Sequence, residues 1–417
     1  MSKLVGLKAG LIAITLLLSA AANESKAISI FTEKLYPYGF IDKTGKQVID
    51  LKKLRNQNYS ATSFSDNRAV VTQHSGLTRY IIDETGRIIS PGFASVKDFA
   101  EGLAAFSPLG QHKETTLIAS VWRSNTITPW GFIDKEGKVK IEPIYIDAQS
   151  FSQGVAAVMS ASTCSWGYID AQGKQVIPST FSAAESFSEE RAVVKAGDKW
   201  GVIDLKGNFI VKAEQTSQIS SYHDGLAAIV DKEPSEANRV DYIDRDGKLQ
   251  ISVLTEKEES KSGMKLDRNN NFVVPREKGS GGPRVTLPQT NHDFAEGLAV
   301  IKKDHKYGYI DKTGKMAIAP QFDYAWGFRD GRARVFANIS GGKFSFIDKS
   351  GKLIAPYKFS TAEEFSEGFA LVQKHEGDTW MFINKLGKNA FGKSFHGAKS
   401  FHQGRACVGN TLMFCFL

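Results

Sequence analysis

A nine-residue segment that returns along the chain constrains the fold more than any other feature. It reads Trp-Gly-Phe-Ile-Asp-Lys-Glu-Gly-Lys at 130–138, Trp-Gly-Tyr-Ile-Asp-Ala-Gln-Gly-Lys at 166–174 and Tyr-Gly-Tyr-Ile-Asp-Lys-Thr-Gly-Lys at 307–315. Nine copies share an Ile, an acidic or amide residue directly after it, and a Gly three residues further on. The acidic or amide positions are Asp42, Asp83, Asp134, Asp170, Asp204, Asp244, Asp311, Asp348 and Asn384. Nine matched copies predict a repeat array rather than unrelated domains.

A second motif alternates with the first. It begins with an aromatic residue and ends with Ala five residues later, as in Phe99–Ala104 and Phe365–Ala370. Its Ala positions are Ala69, Ala104, Ala156, Ala192, Ala227, Ala299, Ala333, Ala370 and Ala406. The spacing of the two motifs gives a repeating unit of about 36 residues.

Both motifs indicate β-hairpins. The segments around Asp-x-x-Gly are rich in β-branched and aromatic residues, which favour strands. The Asp side chain can accept backbone N–H groups two residues on, and the Gly can adopt the left-handed conformation of a type I turn with a bulge. The aromatic-x-Glu-Gly element predicts a second turn. The mature chain shows no convincing helical periodicity over ten or more residues.

The fold class predicted is therefore all-β, an array of about nine repeats, with two architectures open. A propeller-like ring is slightly favoured, because the chain starts with an unaccompanied Asp-turn hairpin and ends with the Phe401–Ala406 element. The two ends could complete one blade. An open curved β array avoids the objection that nine blades exceed the usual range of about four to eight.

Two long spacings indicate inserted loops. They fall at about residues 107–128 and 255–289, and the second contains acidic, Asn-rich and Gly-rich stretches that favour mobility. Insertions on a rigid array are frequent functional sites. A tolerated surface insertion is the safer interpretation.

Residues 1–22 are predicted to be a secretory signal peptide. Lys3 and Lys8 precede the uncharged stretch Ala9–Ala22, which ends in an Ala-Ala-Ala cleavage site. The mature domain would span residues 23–417 and be exported, either to the periplasm or to the medium, with no transmembrane segment. Its hydrophobic content of 41% and the 417-residue length of the chain exclude disordered and small disulfide-scaffold proteins.

The chain resembles the tryptophan-glycine (WG) repeat proteins of bacteria through its Trp-Gly-Phe-Ile-Asp-x-x-Gly-Lys and Phe-Ser-Glu-Gly-Phe-Ala elements. The resemblance covers about Tyr38 to Cys407. The Trp-Gly pair is lost near Arg79-Tyr80, Asp241-Tyr242, Phe344-Ser345 and Trp380-Met381. The resemblance implies an all-β repeat architecture and usually an interaction role, with no common catalytic residues.

Other chemical signals are weak, so no catalytic residue, cofactor or metal site is predicted. Residues Gly387–Ser394 fit the Walker A pattern, but Gly387 is a repeat-turn glycine and no helix follows. The histidines lack zinc-site spacing. Among the cysteines, Cys407 could pair with Cys415 and leave Cys164 unpaired, or all three could be thiols.

Lysines at the hairpin tips are the candidate binding residues. They are Lys43, Lys46, Lys135, Lys138, Lys312, Lys315, Lys349, Lys352, Lys385 and Lys388. Equivalent repeat positions project from the same edge, so these lysines predict a basic rim. Such a rim could bind a protein partner or an anionic envelope polymer, although lysines at hairpin tips often only keep strand edges soluble.

The predicted function is a non-catalytic binding or scaffold protein of the bacterial envelope, acting through repeat surfaces and inserted loops. The net charge of +8, which becomes +6 without Lys3 and Lys8, is too diffuse to indicate nucleic-acid binding. The alternative is a hydrolase-like envelope enzyme with a site in a ring channel or under the long insertion. A purely structural role is a third possibility, and the oligomeric state is open.

Overall fold

Antiparallel β-strands make up nearly all regular structure in this computed structural model. It describes residues 39–54, 59–73, 77–110, 128–215, 217–231, 237–256, 265–266, 272–273, 286–287, 292–338, 342–375 and 377–409. Within these ranges the one helical element is the 3-10 turn Leu51–Lys53. No helix in these ranges is long and apolar enough to cross a lipid bilayer. The predicted signal peptide lies outside the described residues.

The strands form nine antiparallel blades, numbered here along the chain, and pairing at the blade boundaries joins blades 1 to 3 into one ten-stranded sheet. The strands of blades 1 to 4 are Tyr59–Ala61, Ala69–Gln73 and Arg79–Ile82 in blade 1; Phe93–Val96, Leu103–Pro108, Trp130–Asp134 and Val139–Ala148 in blade 2; Val155–Ser160, Trp166–Asp170 and Gln175–Phe181 in blade 3; and Ala183–Ala184, Ala192–Ala196, Lys199–Ile203 and Phe209–Gln215 in blade 4. The end of strand Val139–Ala148 also serves as the first strand of blade 3, since it pairs with Val155–Ser160.

The remaining blades keep this order, but among the described residues blades 5 and 6 have no first strand and blades 7 and 8 have no fourth strand. Their strands are Leu226–Asp231, Ala237–Asp244 and Leu249–Glu256 in blade 5; Leu298–Lys303, Lys306–Asp311 and Met316–Phe322 in blade 6; Tyr324–Arg329, Arg332–Ala337 and Lys343–Ile347 in blade 7; Thr361–Ala362, Phe369–Gln373 and Met381–Asn384 in blade 8; and Gly397–Ala398, Arg405–Gly409, Gly39–Asp42 and Gln47–Asp50 in blade 9. Three short strands, Lys265–Leu266, Phe272–Val273 and Thr286–Leu287, pair with one another within the long insertion.

Blade 9 joins the two ends of the chain. Strand Gly39–Asp42 pairs antiparallel with strand Arg405–Gly409, with Gly39 opposite Val408 and Asp42 opposite Arg405. The sheet order therefore runs from the C-terminal hairpin into the N-terminal hairpin. This pairing closes the array into a ring, and the prediction of an all-β, propeller-like repeat array is confirmed.

The hydrophobic core is divided among the nine junctions between blades. Each junction holds its own cluster of buried apolar residues. In seven junctions the aromatic residue before Ile-Asp packs on the aromatic residue of the next blade's second motif, as Phe132 does on Phe151 with ring centroids 4.9 Å apart. Such contacts add to the free energy gained by burial. The other two junctions place Ile81 and Val202 at this position.

The Gly of the Trp-Gly pair is required by close backbone approach. A Cβ built on Gly131 would lie 2.4 Å from the carbonyl oxygen of Ile141 in the next strand. The register of the two strands shifts at this point, because the partner strand bulges toward the Gly. In blade 5, where Asp241 replaces the Gly, the strands pair without a shift at that position.

Where a blade has a first strand, that strand lies on the inner side of the ring. Side chains just after successive first strands bond directly to one another: Ser186 Oγ donates to Gln149 Oε1 at 2.8 Å, and Ser400 Oγ donates to Glu363 Oε2 at 2.7 Å. Fourth strands instead carry exposed apolar side chains such as Phe209 and Leu249. Neighbouring blades are closest together near the centre of the ring. The first strands, which are linked from blade to blade, therefore lie inside, and the fourth strands lie outside.

Candidate binding face

One face of the ring carries both kinds of hairpin turn. Because the strands of a blade are antiparallel, the first-to-second and third-to-fourth connections lie at the same end; we call this the turn face. The second-to-third and blade-to-blade connections lie at the opposite end. Both inserted loops are of the latter kinds, since one follows Pro108 and the other follows Glu256. The strand ends that lead into the two predicted loops therefore lie on the face opposite the predicted rim, and most residues of both loops lie outside the described ranges.

The first-to-second turns form a closed circle of hydrogen bonds. Both central residues have positive φ, as in Glu101 at 54° and Gly102 at 86°, which defines a tight two-residue hairpin turn. The first central side chain accepts a hydrogen bond from a central N–H of the next blade. The accepting residues are Asp66, Glu101, Gln153, Glu189, Asp224, Glu296, Asp330, Glu367 and Gln403. These carboxylates and amides hold neighbouring blades together.

The third-to-fourth turns are built as the sequence predicts. Asp42 Oδ1 accepts the N–H groups of Thr44 at 2.9 Å and Lys46 at 3.1 Å, and Gly45 has a φ of 78°. The same pattern returns in all nine units, with Asn384 Oδ1 accepting in blade 8. Its glycine, Gly387, donates its N–H to the Asn384 carbonyl at 2.8 Å, so the Walker A match is a repeat turn.

The ten predicted lysines do not form a complete rim. Two of them, Lys135 and Lys138, lie in blade 2. The other eight occupy four consecutive blades: Lys312 and Lys315 in blade 6, Lys349 and Lys352 in blade 7, Lys385 and Lys388 in blade 8, and Lys43 and Lys46 in blade 9. We call this stretch of the turn face the basic arc. The neighbouring tips are of mixed charge: blade 5 carries Arg245, Asp246 and Lys248, and blade 1 carries Glu84 and Arg87.

The lysine directly after the turn residue is used within the protein. Lys43 Nζ lies 3.0 Å from Glu367 Oε2, and Lys349 Nζ lies 3.2 Å from Glu296 Oε2. Lys385 Nζ lies 4.0 Å from Asp330 Oδ1, and Lys312 Nζ donates to the Asp224 carbonyl at 2.5 Å. Each contact joins a blade to the turn of the preceding blade, so this set is structural.

The lysine four residues after the turn residue is different. Lys46, Lys315, Lys352 and Lys388 are exposed, and none takes part in an ion pair among the described residues. They lie at the start of the fourth segment of each blade, which follows the turn and runs along the outer edge of the ring. Their side chains are available to an external anion.

The sequence reasoning missed three cations at this same repeat position. Arg87, Lys174 and Lys248 also follow their turn Asp by four residues, and all are exposed. Counting from the Asp would have found them. The fourth residue after the turn residue is cationic in eight of the nine units. The first residue after it is variable and is Lys, Glu, Ala, Leu or Arg.

The carboxylates of the turn face are stabilised in their charged form by internal donors. The Ser350 hydroxyl and the N–H groups of the turn lower the pKa of Asp348. Partial burial favours the neutral acid of Glu367, but hydrogen bonds from Lys43 and the Gly404 N–H outweigh it and lower its pKa. Protein groups thus satisfy these acids, whereas the outer lysines of the arc are left to solvent.

A second polar cluster lies between the inner strands of blades 7, 8 and 9. Arg334 is half-buried, lies 4.2 Å from the centre of the Trp326 ring, and donates to the Ala362 carbonyl. Burial raises the pKa of Glu363, although the Ser400 hydroxyl and Arg334 oppose this. The guanidinium and the carboxyl partly compensate each other, so we assign this cluster to the packing of the blades.

Other features of the described residues give less support for a ligand-binding site. A cavity of about 470 Å³ lies between the outer strand of blade 9 and the turn of blade 1, lined by residues including Asp50, Lys53 and Arg87. Within the described residues no group of three or more His, Cys, Asp or Glu side chains could hold a metal ion. Cys407 is buried and Cys164 is exposed, whereas Cys415 lies outside the described residues.

Comparison with known families settles what kind of repeat this is. The family described as WG containing repeat matches residues 38–52, 81–107, 130–160, 166–200, 200–232, 307–338 and 344–376. The chain is a WG-repeat protein. The predicted resemblance is thereby confirmed. The matched segments reach all nine blades, and blade 9 is matched through its N-terminal hairpin.

Solved structures similar to this WG-repeat protein share little of its sequence. Kluyveromyces lactis Hsv2 has a TM-score of 0.34 at 9% identity and covers 79% of this chain and 98% of its own. Citrobacter koseri AztD has a TM-score of 0.33 at 12% identity, with coverages of 84% and 95%. The β-propeller domain of the Pyrococcus furiosus Trilobed protease has a TM-score of 0.33 at 12% identity, with coverages of 72% and 98%. No curated protein sequence matches the chain.

Proposed function

We propose that this WG-repeat protein is an exported, non-catalytic binding or scaffold protein of the bacterial envelope. It binds an anionic partner through the outer lysines of the basic arc. The observation that carries the proposal is the division of the tip lysines into two sets. One set is held by neighbouring blades, and the other is exposed without an ion pair in four consecutive blades.

The outer position is cationic in eight of the nine blades, and we place the binding site in the stretch of four consecutive tips that each carry a second lysine. Exposed charges farther apart than a Debye length of roughly 8 Å act almost independently at physiological salt. Neighbouring tips within one stretch can contact a single extended anion together, which multiplies their effect. The closed ring supplies a rigid base, so little conformational entropy is lost when the partner binds.

The test is elution from an immobilised sulfated polysaccharide. The arc variant replaces Lys46, Lys315, Lys352 and Lys388 by Gln. The matched control replaces Arg87, Lys138, Lys174 and Lys248 by Gln, which removes the same number of charges from the same repeat position in other blades. We expect the arc variant to elute at clearly lower salt than the control. Equal elution of the two variants would show that the arc has no special role and would overturn the proposal.

A further inference from the structure

The tip of blade 8 departs from the other eight tips in two ways. Its turn residue is Asn384, the one amide among nine turn residues, so this tip lacks the carboxylate of the others. The second residue after Asn384 is Leu386, which is 68% exposed and lies between Lys385 and Lys388. The centre of the basic arc therefore combines an apolar side chain with cations and has no acid of its own.

The other blades of the arc repeat this combination less strongly. Each places a partly exposed apolar side chain beside its outer lysine: Met316 next to Lys315, Leu353 next to Lys352, and Val48 near Lys46. A hydrated polyanion gains nothing from apolar side chains. An anionic phospholipid bilayer can bind both kinds of residue, because its head groups attract the lysines and its acyl interior accommodates the apolar side chains.

The blade 8 tip is held rigidly in place. Arg332 Nε of blade 7 donates to the Lys385 carbonyl at 3.2 Å, and Asn384 Oδ1 accepts the N–H of Leu386 at 3.0 Å. A Cβ on Gly387 would lie 3.0 Å from the Ala355 Cβ, so the turn also packs tightly against blade 7. Leu386 is thus exposed by a fixed turn, and docking would need no rearrangement of the backbone.

We propose that the basic arc is a docking surface for an anionic phospholipid bilayer, with Leu386 inserted among the head groups. The inference rests on the proposed function and names its partner. Charge complementarity comes from the four outer lysines, each worth about 1 kcal/mol near an anionic surface. Four such contacts with a few partly buried apolar side chains give reversible peripheral binding.

The experiment is co-sedimentation of residues 23–417, which include the whole ring, with vesicles of phosphatidylglycerol and phosphatidylcholine. Asn384→Asp restores the carboxylate of the other units and should weaken binding about fivefold. Its control, Asp170→Asn in blade 3, should leave binding unchanged. Leu386→Thr introduces the residue found in three other turns, at Thr44, Thr85 and Thr313, and should weaken binding severalfold. Its control is Leu205→Ala in blade 4.

The possible outcomes are distinct. Binding to anionic vesicles that both blade 8 variants weaken and both controls preserve would support the docking surface. Equal binding to pure phosphatidylcholine vesicles would overturn it, as would anionic binding that Leu386→Thr leaves unchanged. Retention on the sulfated polysaccharide without any vesicle binding would overturn this inference while leaving the proposed function intact.

Discussion

The backbone N–H of Asn67 donates to the side-chain oxygen of Gln403 at 2.7 Å, across a separation of 336 residues. This bond is the ninth in the circle of hydrogen bonds between first-to-second turns. It matches the bond at an internal junction between blades 3 and 4, where the Glu190 N–H donates to Gln153 Oε1 at 2.7 Å. The junction that closes the ring is therefore built like an internal one.

Gln403→Ala should lower the free energy of unfolding by about as much as Gln153→Ala, roughly 0.5–1.5 kcal/mol each, because each removes one hydrogen bond between blades. Denaturant unfolding followed by tryptophan fluorescence measures both. A clear loss for Gln153→Ala with none for Gln403→Ala would show that the ring is open in solution.

Gly131→Ala should destabilise the protein by about 1–3 kcal/mol, since its Cβ would meet the Ile141 carbonyl oxygen at 2.4 Å and force the bulged strand away. Asp241→Ala, at the equivalent position of blade 5, meets no such bulge and should cost less. Thermal unfolding of the two variants compares them, and equal losses would contradict the role assigned to the bulge.

Protonation of His292 should destabilise the protein. Burial lowers the pKa of this imidazole, although the Val300 carbonyl and Asp293 oppose the effect. The unfolded state then binds the proton more readily, so this contribution to stability is lost as the pH falls below about 6.5 toward the lowered pKa. His292→Asn should flatten the pH dependence of the unfolding free energy between pH 7 and pH 5. An unchanged slope would show that His292 does not titrate on unfolding.

Asp348→Asn should remove part of the acid sensitivity of the protein below about pH 4. The Ser350 hydroxyl and turn N–H groups lower the pKa of Asp348 in the folded state. Its contribution is present above the unfolded pKa and is lost as the pH falls through the folded pKa. The amide should keep the turn, as Asn384 does in blade 8. Acid unfolding followed by circular dichroism tests this, and a variant as acid-sensitive as the parent would count against it.

Much of the fold could be predicted from the sequence, because it depends on interactions between residues that are close along the chain. The Asp-x-x-Gly turns are determined by side chains and N–H groups two to four residues apart, so each copy predicts its own hairpin. The complementary chain ends, an unaccompanied Asp-turn hairpin at the start and the Phe401–Ala406 element at the end, also favoured a ring. The repeat period does not distinguish a closed ring from an open array, because each unit packs on its neighbours in the same way in both architectures.

The sequence by itself determined the number of units, their turns and the lysines at their tips. Only the tertiary structure decided which lysines are available. Lys43 and Lys46 are three residues apart in one turn, yet Lys43 pairs with Glu367 of the preceding blade, and Lys46 faces solvent. That difference depends on a carboxylate more than 300 positions away along the chain, which ring closure brings within 3.0 Å. Contacts between distant residues follow from how the blades pack, and a local sequence pattern does not contain them.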